Sequence, residues 1–205
     1  LLLPGCFLKK ELPAEGPVIE DVELAGVHAL DGDRLLEGLA TRRSPKFLFW
    51  RGVAYDYEVF DEALLERDLQ RVERFYRSQG YYEAKVVAAR VVRTSSSGVR
   101  IVIVVSEGAP VEIPNTTSGA LAVQLNGLEQ VRDPALIGQL IAASLQPGRR
   151  FVEQDYQSSK RALRQLLLDN GYAYAEVDGR VEVDLARHEA HVRFDIRPGP
   201  LCTLG

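Results

Sequence analysis

Methionine is absent from all 205 residues, tryptophan occurs once, cysteine twice and histidine three times. With no Met even at position 1, and with Leu201–Gly205 opening an extended segment, the sequence is expected to be a fragment trimmed at both ends. Cys6 and Cys202 lie at opposite ends of the chain, so a disulfide between them is not expected. No apolar run approaches the roughly 20 residues of a membrane-spanning helix. The longest in the body is Ile101 to Val105. Positive charge is also in deficit, with 25 Lys and Arg against 29 Asp and Glu. Arg42-Arg43 and Arg149-Arg150 are too short to form a basic face, which excludes nucleic acid as a partner.

Catalytic chemistry is equally thin. Gly52–Tyr55 and Pro147–Arg150 lack the spacing and helix context of a phosphate loop, and no nucleophile–base set can be assembled. His188-Glu189-Ala190-His191 places two histidines three apart in an expected hairpin turn, whereas a zinc-protease helix needs them four apart on one face. A solvated turn is the reading taken. His28 stands alone in a loop. Glu153 and Asp155 fall in the first turn of an expected helix, where the helix dipole is sufficient reason for carboxylates. The chain is therefore expected to be no enzyme, and to hold no metal and no cofactor.

What is present is a repeat. Arg77–Val86 and Leu168–Val177 each close an amphipathic pattern with Gly-Tyr and open a valine-rich strand. Gly80 and Gly171, Phe60 and Phe151, Ala84 and Ala175, Val86 and Val177, and Gly108 and Gly199 all share one offset of 91. Upstream the offset becomes 101, where Val22–Gly26 answers Val123–Gly127 and Leu35 answers Leu136, so the first copy carries ten extra residues between Gly26 and Phe60. Such periodicity fixes the unit of architecture before any local reading is made.

Each copy begins with a strand, Val18–Leu24 or Ala120–Leu125. A short helix follows, capped by Asp31 or Asp33 in the first copy and by Asp133-Pro134 in the second. Leu65, Leu69, Val72 and Tyr76 then form one apolar stripe of a longer helix, as do Tyr156, Leu163, Leu166 and Leu167. Asp61 supplies a cap that Val152 cannot, so the second long helix should fray more at its start. Gly80 and Gly171 suit a helix end that needs positive φ. Two strands complete each copy, 85–93 with 99–106 and 175–184 with 191–197. Ile101–Val105 lacks alternation and is expected to be a central strand shielded on both faces, with 86–94 at an edge.

The fold class that follows is α+β: two tandem two-layer domains, each strand-helix-helix-strand-strand, with two helices on a three-stranded mixed sheet. The divisions expected are 1–16 as a leader remnant or lipobox with linker, 17–113 and 114–200 as the domains, and 201–205 as the start of a further strand.

This order and the Gly-Tyr helix ending resemble the polypeptide-transport-associated (POTRA) domain. Glu107-Gly108-Ala109-Pro110-Val111 and Arg197-Pro198-Gly199-Pro200-Leu201 look like the segments joining successive such domains in assembly factors of the BamA/TamA type. The resemblance implies a periplasmic region attached to the bacterial outer membrane, ahead of a β-barrel that is not in this sequence. Its implied partners are unfolded outer-membrane protein segments and helper proteins of the periplasm, lipoproteins among them. An alternative within the same resemblance is a scaffold of another exported machine, a two-partner secretion transporter or a division complex. Leu3-Pro4-Gly5-Cys6 also resembles a lipoprotein cleavage box, with Pro4 departing from it, so a lipid anchor on Cys6 and an incidental thiol both stay open.

Two candidate binding regions emerge. The ten-residue insertion carries Phe47, Phe49, Trp50 and Tyr55 among flanking arginines, which suits a docking surface. The competing reading, and the one favoured, is that this loop covers its own domain while leaving one of Phe47, Phe49 and Trp50 partly exposed. The second region is the edge strands, with Val86, Val87, Arg90, Val91 and Arg93 in the first copy and Val177, Val181 and Val183 in the second. An open edge offers unpaired backbone groups to an incoming strand.

Overall fold

The computed structural model describes residues 16–47, 50–51, 56–115 and 123–202. Among them the chain divides into two compact units, the first running to Tyr76 and from Glu83 to Glu107, the second taking Arg77–Tyr82 and Gly108 onward.

The first unit contains β1 (Val18–Ala25), α1 (Gly32–Glu37), a two-residue hairpin of β2 (Lys46–Phe47) and β3 (Trp50–Arg51), then α2 (Glu62–Ser78), whose last turn groups with the second unit, β4 (Lys85–Arg93) and β5 (Gly98–Ser106). Its sheet order is β1-β5-β4, with β1 parallel and β4 antiparallel to β5. Ile101 and Ile103 of β5 are fully buried, as are Val72 and Tyr76 of α2, and Leu65 is buried too. Val102 and Val104 are only half-buried. The central position of this strand is as expected, but shielding on both faces is not found, because both helices lie on one side.

Asp31 makes the cap of α1, its carboxylate accepting the Asp33 and Arg34 amides at 3.0 and 3.3 Å. Asp61 accepts the Leu64 amide at 3.0 Å and so caps α2. Gly26, at φ +77°, ends β1 where a Cβ would strike the Val105 carbonyl oxygen. The loop that follows is tied down by Glu107. Its carboxylate accepts the His28 amide at 3.0 Å, the Ala29 amide at 3.1 Å and the Tyr76 hydroxyl at 2.8 Å. Burial pushes the Glu107 carboxyl up, but the His28 amide, the Tyr76 hydroxyl, the Ala29 amide and the nearby His28 charge outweigh it and hold the pKa below its ordinary value.

The second unit repeats the order with β6 (Val123–Asn126), α3 (Pro134–Ser144), α4 (Glu153–Asp169), β7 (Glu176–Asp184) and β8 (Glu189–Arg197), in sheet order β6-β8-β7. Gly127 ends β6 at φ +84°, and a Cβ there would strike the Ile196 carbonyl oxygen. The two glycines are related by the offset of 101, and the two carbonyls by 91, so the same close approach is built twice. Gly80 and Gly171 follow the two 17-residue helices at φ +87° and +89°. Pro134 begins α3 as expected, but the Asp133 side chain makes no cap bond, and Val152 at the start of α4 makes none either.

Among the described residues β6 covers Val123–Asn126, and positions 120–122 of the expected strand lie outside them. Val111 and Ile113 lie before the expected boundary at 113, yet both are buried in the second unit's core. Between them Glu112 pairs with the start of β8, its amide donating to the His188 carbonyl and its carbonyl accepting the Ala190 amide, both at 2.8 Å. A stretch that reads as linker thus pairs with the second sheet at the start of β8.

Candidate functional site

In the first unit one side of the sheet is occupied. The Ile19 amide donates to the Glu58 carbonyl at 2.8 Å, the Ser44 amide to the Ile19 carbonyl at 2.9 Å, and Val18 bridges Val59, so two loop segments run along the outer side of β1. Ser44 ties these segments together through its hydroxyl, which accepts the Glu58 amide at 2.8 Å.

The segment before Ser44 is anchored by Asp68. This carboxylate is fully buried on α2 and accepts the Ala40 and Thr41 amides at 3.1 and 2.6 Å, with Arg71 at 2.6 Å. Burial raises its pKa, while the Thr41 hydroxyl and amide, the Ala40 amide and Arg71 lower it, and the net direction is down. The sequence reading passed over Asp68. Its position, three after Leu65 and four before Val72, places it on the apolar stripe, and a carboxylate there has to find buried donors.

Among the described residues β4 is the open side of the first sheet. A bulge at Val87 shifts the register, since Val86 pairs with Val105 and Ala88 with Val104. Ala88, Arg90 and Val92 consequently share a face with Val104, Val102 and Arg100, while Ala89, Val91 and Arg93 face the helix side beside Ile103, Ile101 and Val99. The helices do not reach this far. Val87 is 61% exposed, Val91 42% and Val92 48%, and Arg90 and Arg93 are exposed as well. Val86 is half-buried, and its amide donates to the Glu73 carboxylate of α2 at 3.1 Å.

β7 has the same length and sheet position but continuous pairing from Glu176 to Asp184. Alternation is strict. Val177, Gly179, Val181 and Val183 pair with Ile196, Phe194, Val192 and Ala190, all core residues of β8. Val177 is 7% exposed, and Val181 and Val183 are half-buried against the core, so these three candidate residues are turned inward. Gly179 leaves room for the Tyr156 ring, which stacks on Phe194 at 5.5 Å between centroids. The outward positions are Glu176, Asp178, Arg180, Glu182 and Asp184, and Arg197 bonds both Glu176 and Asp178. At β7 the edge presents backbone without apolar side chains.

Of the inserted aromatics, Phe47 and Trp50 are opposite each other in the β2-β3 pairing. Their side chains, together with Phe49, Tyr55 and Cys6, lie outside the described residues. His188 sits in the β7-β8 turn at φ +54°, while His191 lies on β8 with Nε2 3.4 Å from Glu189. Among the described residues no three His, Cys, Asp or Glu side chains are grouped to hold a metal, and no helix is long and apolar enough to cross a membrane.

The POTRA family model, described as a surface antigen variable number repeat, matches residues 17–108 and again 122–199. The chain belongs to the POTRA family. It carries two copies of the domain. The outer membrane protein assembly factor BamA of Nitratidesulfovibrio vulgaris is 23% identical over 93% of this chain, which spans 22% of that protein's length. A crystal structure of Haemophilus influenzae BamA POTRA domains 3–5 aligns over 92% of this chain and 68% of its own, at 18% identity and a TM-score of 0.49. The N-terminal domain of Omp85 from Thermosynechococcus elongatus aligns over 89% and 63%, at 20% identity and a TM-score of 0.45.

Proposed function

We propose that this POTRA pair is a periplasmic region of an outer-membrane protein assembly factor, and that it receives unfolded outer-membrane protein segments by strand addition along β4. The observation that supports this most is the β4 edge itself. It carries three exposed valines at the free side of a three-stranded sheet, while loop segments occupy the opposite side. Backbone pairing supplies affinity without demanding one sequence, and exposed valines add apolar contact. The same reading places the region at the outer membrane, through a barrel or a lipid anchor, with helper proteins docking on the inserted loop at Phe47, Phe49, Trp50 and Tyr55. β7 would accept backbone alone, and therefore more weakly.

Amide exchange with a strand-forming peptide tests this directly. A saturating peptide is expected to slow exchange along 86–93 more than along 177–184. A peptide of the same side chains, N-methylated at every residue, is expected to lose that protection because its donors are gone. Equal protection by both peptides would show that side chains, not backbone, make the contact, and no change along 86–93 would refute strand addition at β4.

A further inference from the structure

The two open edges carry opposite charge. β4 holds Lys85, Arg90 and Arg93 with no acidic residue, a net of three positive charges. β7 holds Glu176, Asp178, Glu182 and Asp184 against Arg180, a net of three negative charges. Their neutralisation differs as much as their sign. On the second sheet Arg197 reaches Glu176 at 3.0 Å and Asp178 at 2.5 Å, and Arg187 reaches Asp184 at 3.9 Å. On β4 all three cations are exposed, and among the described residues none has an ion-pair partner. Glu73 on α2 accepts the Val86 amide, and Glu20 on β1 accepts the Thr94 hydroxyl at 2.7 Å.

Position sharpens the charge pattern. Arg90 stands across from Val102 on one face of the sheet and Arg93 across from Val99 on the other. A strand added to β4 would meet valines along its length and a cation on each face. Resting on the reading of β4 as the client edge, we propose that β4 selects extended segments in which apolar residues alternate with acidic ones, over neutral or basic segments of equal apolarity. Facing one way, such a partner pairs the edge backbone and sets its acids beside Arg90 and its apolar side chains beside Val91; turned over, it sets them beside Arg93 and Val92. A second copy of this chain could offer the acids of β7, but the β7 valines are turned into their own core and two of its acids already share Arg197. An anionic lipid surface could meet the arginines but could not pair the backbone donors and acceptors between them.

The test uses the whole chain and three labelled peptides of about nine residues, the length of β4, identical at the apolar positions and carrying Glu, Gln or Lys between them. At low salt the Glu peptide is expected to bind about tenfold tighter than the Gln peptide, and the Lys peptide more weakly still. The gap should close as salt rises, because exposed charges are screened. Exchange protection should fall on 86–93. The Arg90→Glu, Arg93→Glu double variant should invert the order, and Arg90→Gln should narrow it, with exchange in β1 and β5 reporting that the first unit remains folded. Gln and Glu peptides of equal affinity, both protecting 86–93, would overturn the selectivity and leave strand addition standing. Absence of protection there with all three peptides would overturn both. Self-association abolished by the double variant, or recruitment to anionic vesicles without peptide preference, would assign the arginines elsewhere and overturn the proposal.

Discussion

β4 and β7 occupy the same place in the same topology and are both nine residues long, yet they are finished in opposite ways. β7 alternates strictly and spends its valines on the core. β4 is bulged at Val87 and leaves Val87, Val91 and Val92 exposed. Repetition of the fold therefore does not repeat the surface. The shared offsets mark positions where backbone geometry is constrained, such as Gly26 and Gly127, whereas edge side chains are free to diverge because the sheet closes without them. The same contrast appears inside the helices. Asp68 and Ser159 are related by the offset of 91 and both are buried, but one is a carboxylate binding two loop amides and Arg71, and the other a hydroxyl that lies 2.7 Å from the Asp155 carbonyl oxygen and 2.9 Å from the Ser144 hydroxyl and has one proton to give.

That pair gives the largest expected effect. Asp68→Ala leaves the Ala40 and Thr41 amides without their acceptor and should cost the first unit about 3 kcal/mol. Ser159→Ala should cost the second unit about 1 kcal/mol. Because two units need not unfold together, urea titration read by exchange in β5 and in β8 separately is the appropriate measurement. Equal losses would show that the charge at Asp68 adds nothing to a plain buried polar contact.

Acid should separate the units next. Asp68 and Glu107 both have pKa values below their ordinary ones in the folded chain. A carboxylate depressed on folding contributes stability above its unfolded pKa of about 4, and that contribution disappears as pH falls through the lower folded value. In the second unit, Pro198 stands at the position equivalent to Glu107 and Ser159 at that of Asp68. Between pH 5 and pH 2 the first unit is thus expected to lose more stability than the second, with exchange in β5 rising before exchange in β8. Simultaneous acid unfolding of both would show that neither carboxylate sets the difference.

Much of this was legible from the chain alone, for physical reasons. The helix stripes at Leu65, Val72 and Tyr76 and at Tyr156, Leu163 and Leu167 follow from a 3.6-residue period, and the central place of β5 is legible in the unbroken apolar run Ile101–Val105. What escaped depends on tertiary partners. Asp68 finds its amides 27 and 28 residues upstream, and Glu112 pairs with a strand more than 70 residues away. The parity of β4 also escaped, since a bulge moves every residue after it to the other face while the letters Lys-Val-Val-Ala-Ala-Arg-Val-Val-Arg stay the same. A simple alternation would have given Val87 and Val91 equal standing with Val177 and Val181 as edge residues, and the structure separates them.

The smallest change in stability, and the sharpest test of the edge comparison, comes from deleting Val87. It is the unpaired residue of the bulge, so its loss leaves Val86 opposite Val105 and Ala88 opposite Val104, the continuous pairing that β7 already has. The core is not touched, because Val87 is largely exposed, and the stability of the first unit should change by less than about 1 kcal/mol. The geometry of the edge should change more. A bulge increases local twist and turns an exposed edge away from a flat partner, which is one way a sheet avoids adding copies of itself. With Val91 and Val92 still exposed, the straightened β4 becomes a better template for any strand, its own kind included. The deletion variant is accordingly expected to self-associate in sedimentation at concentrations where the parent chain is monomeric, with new exchange protection confined to β4. A matched deletion of Gly179 in β7 should instead disrupt the second core, where the residue gives room to Tyr156 and Phe194. If the Val87 deletion remains monomeric with unchanged β4 exchange, the bulge does not guard the edge, and the contrast between β4 and β7 reduces to their side chains.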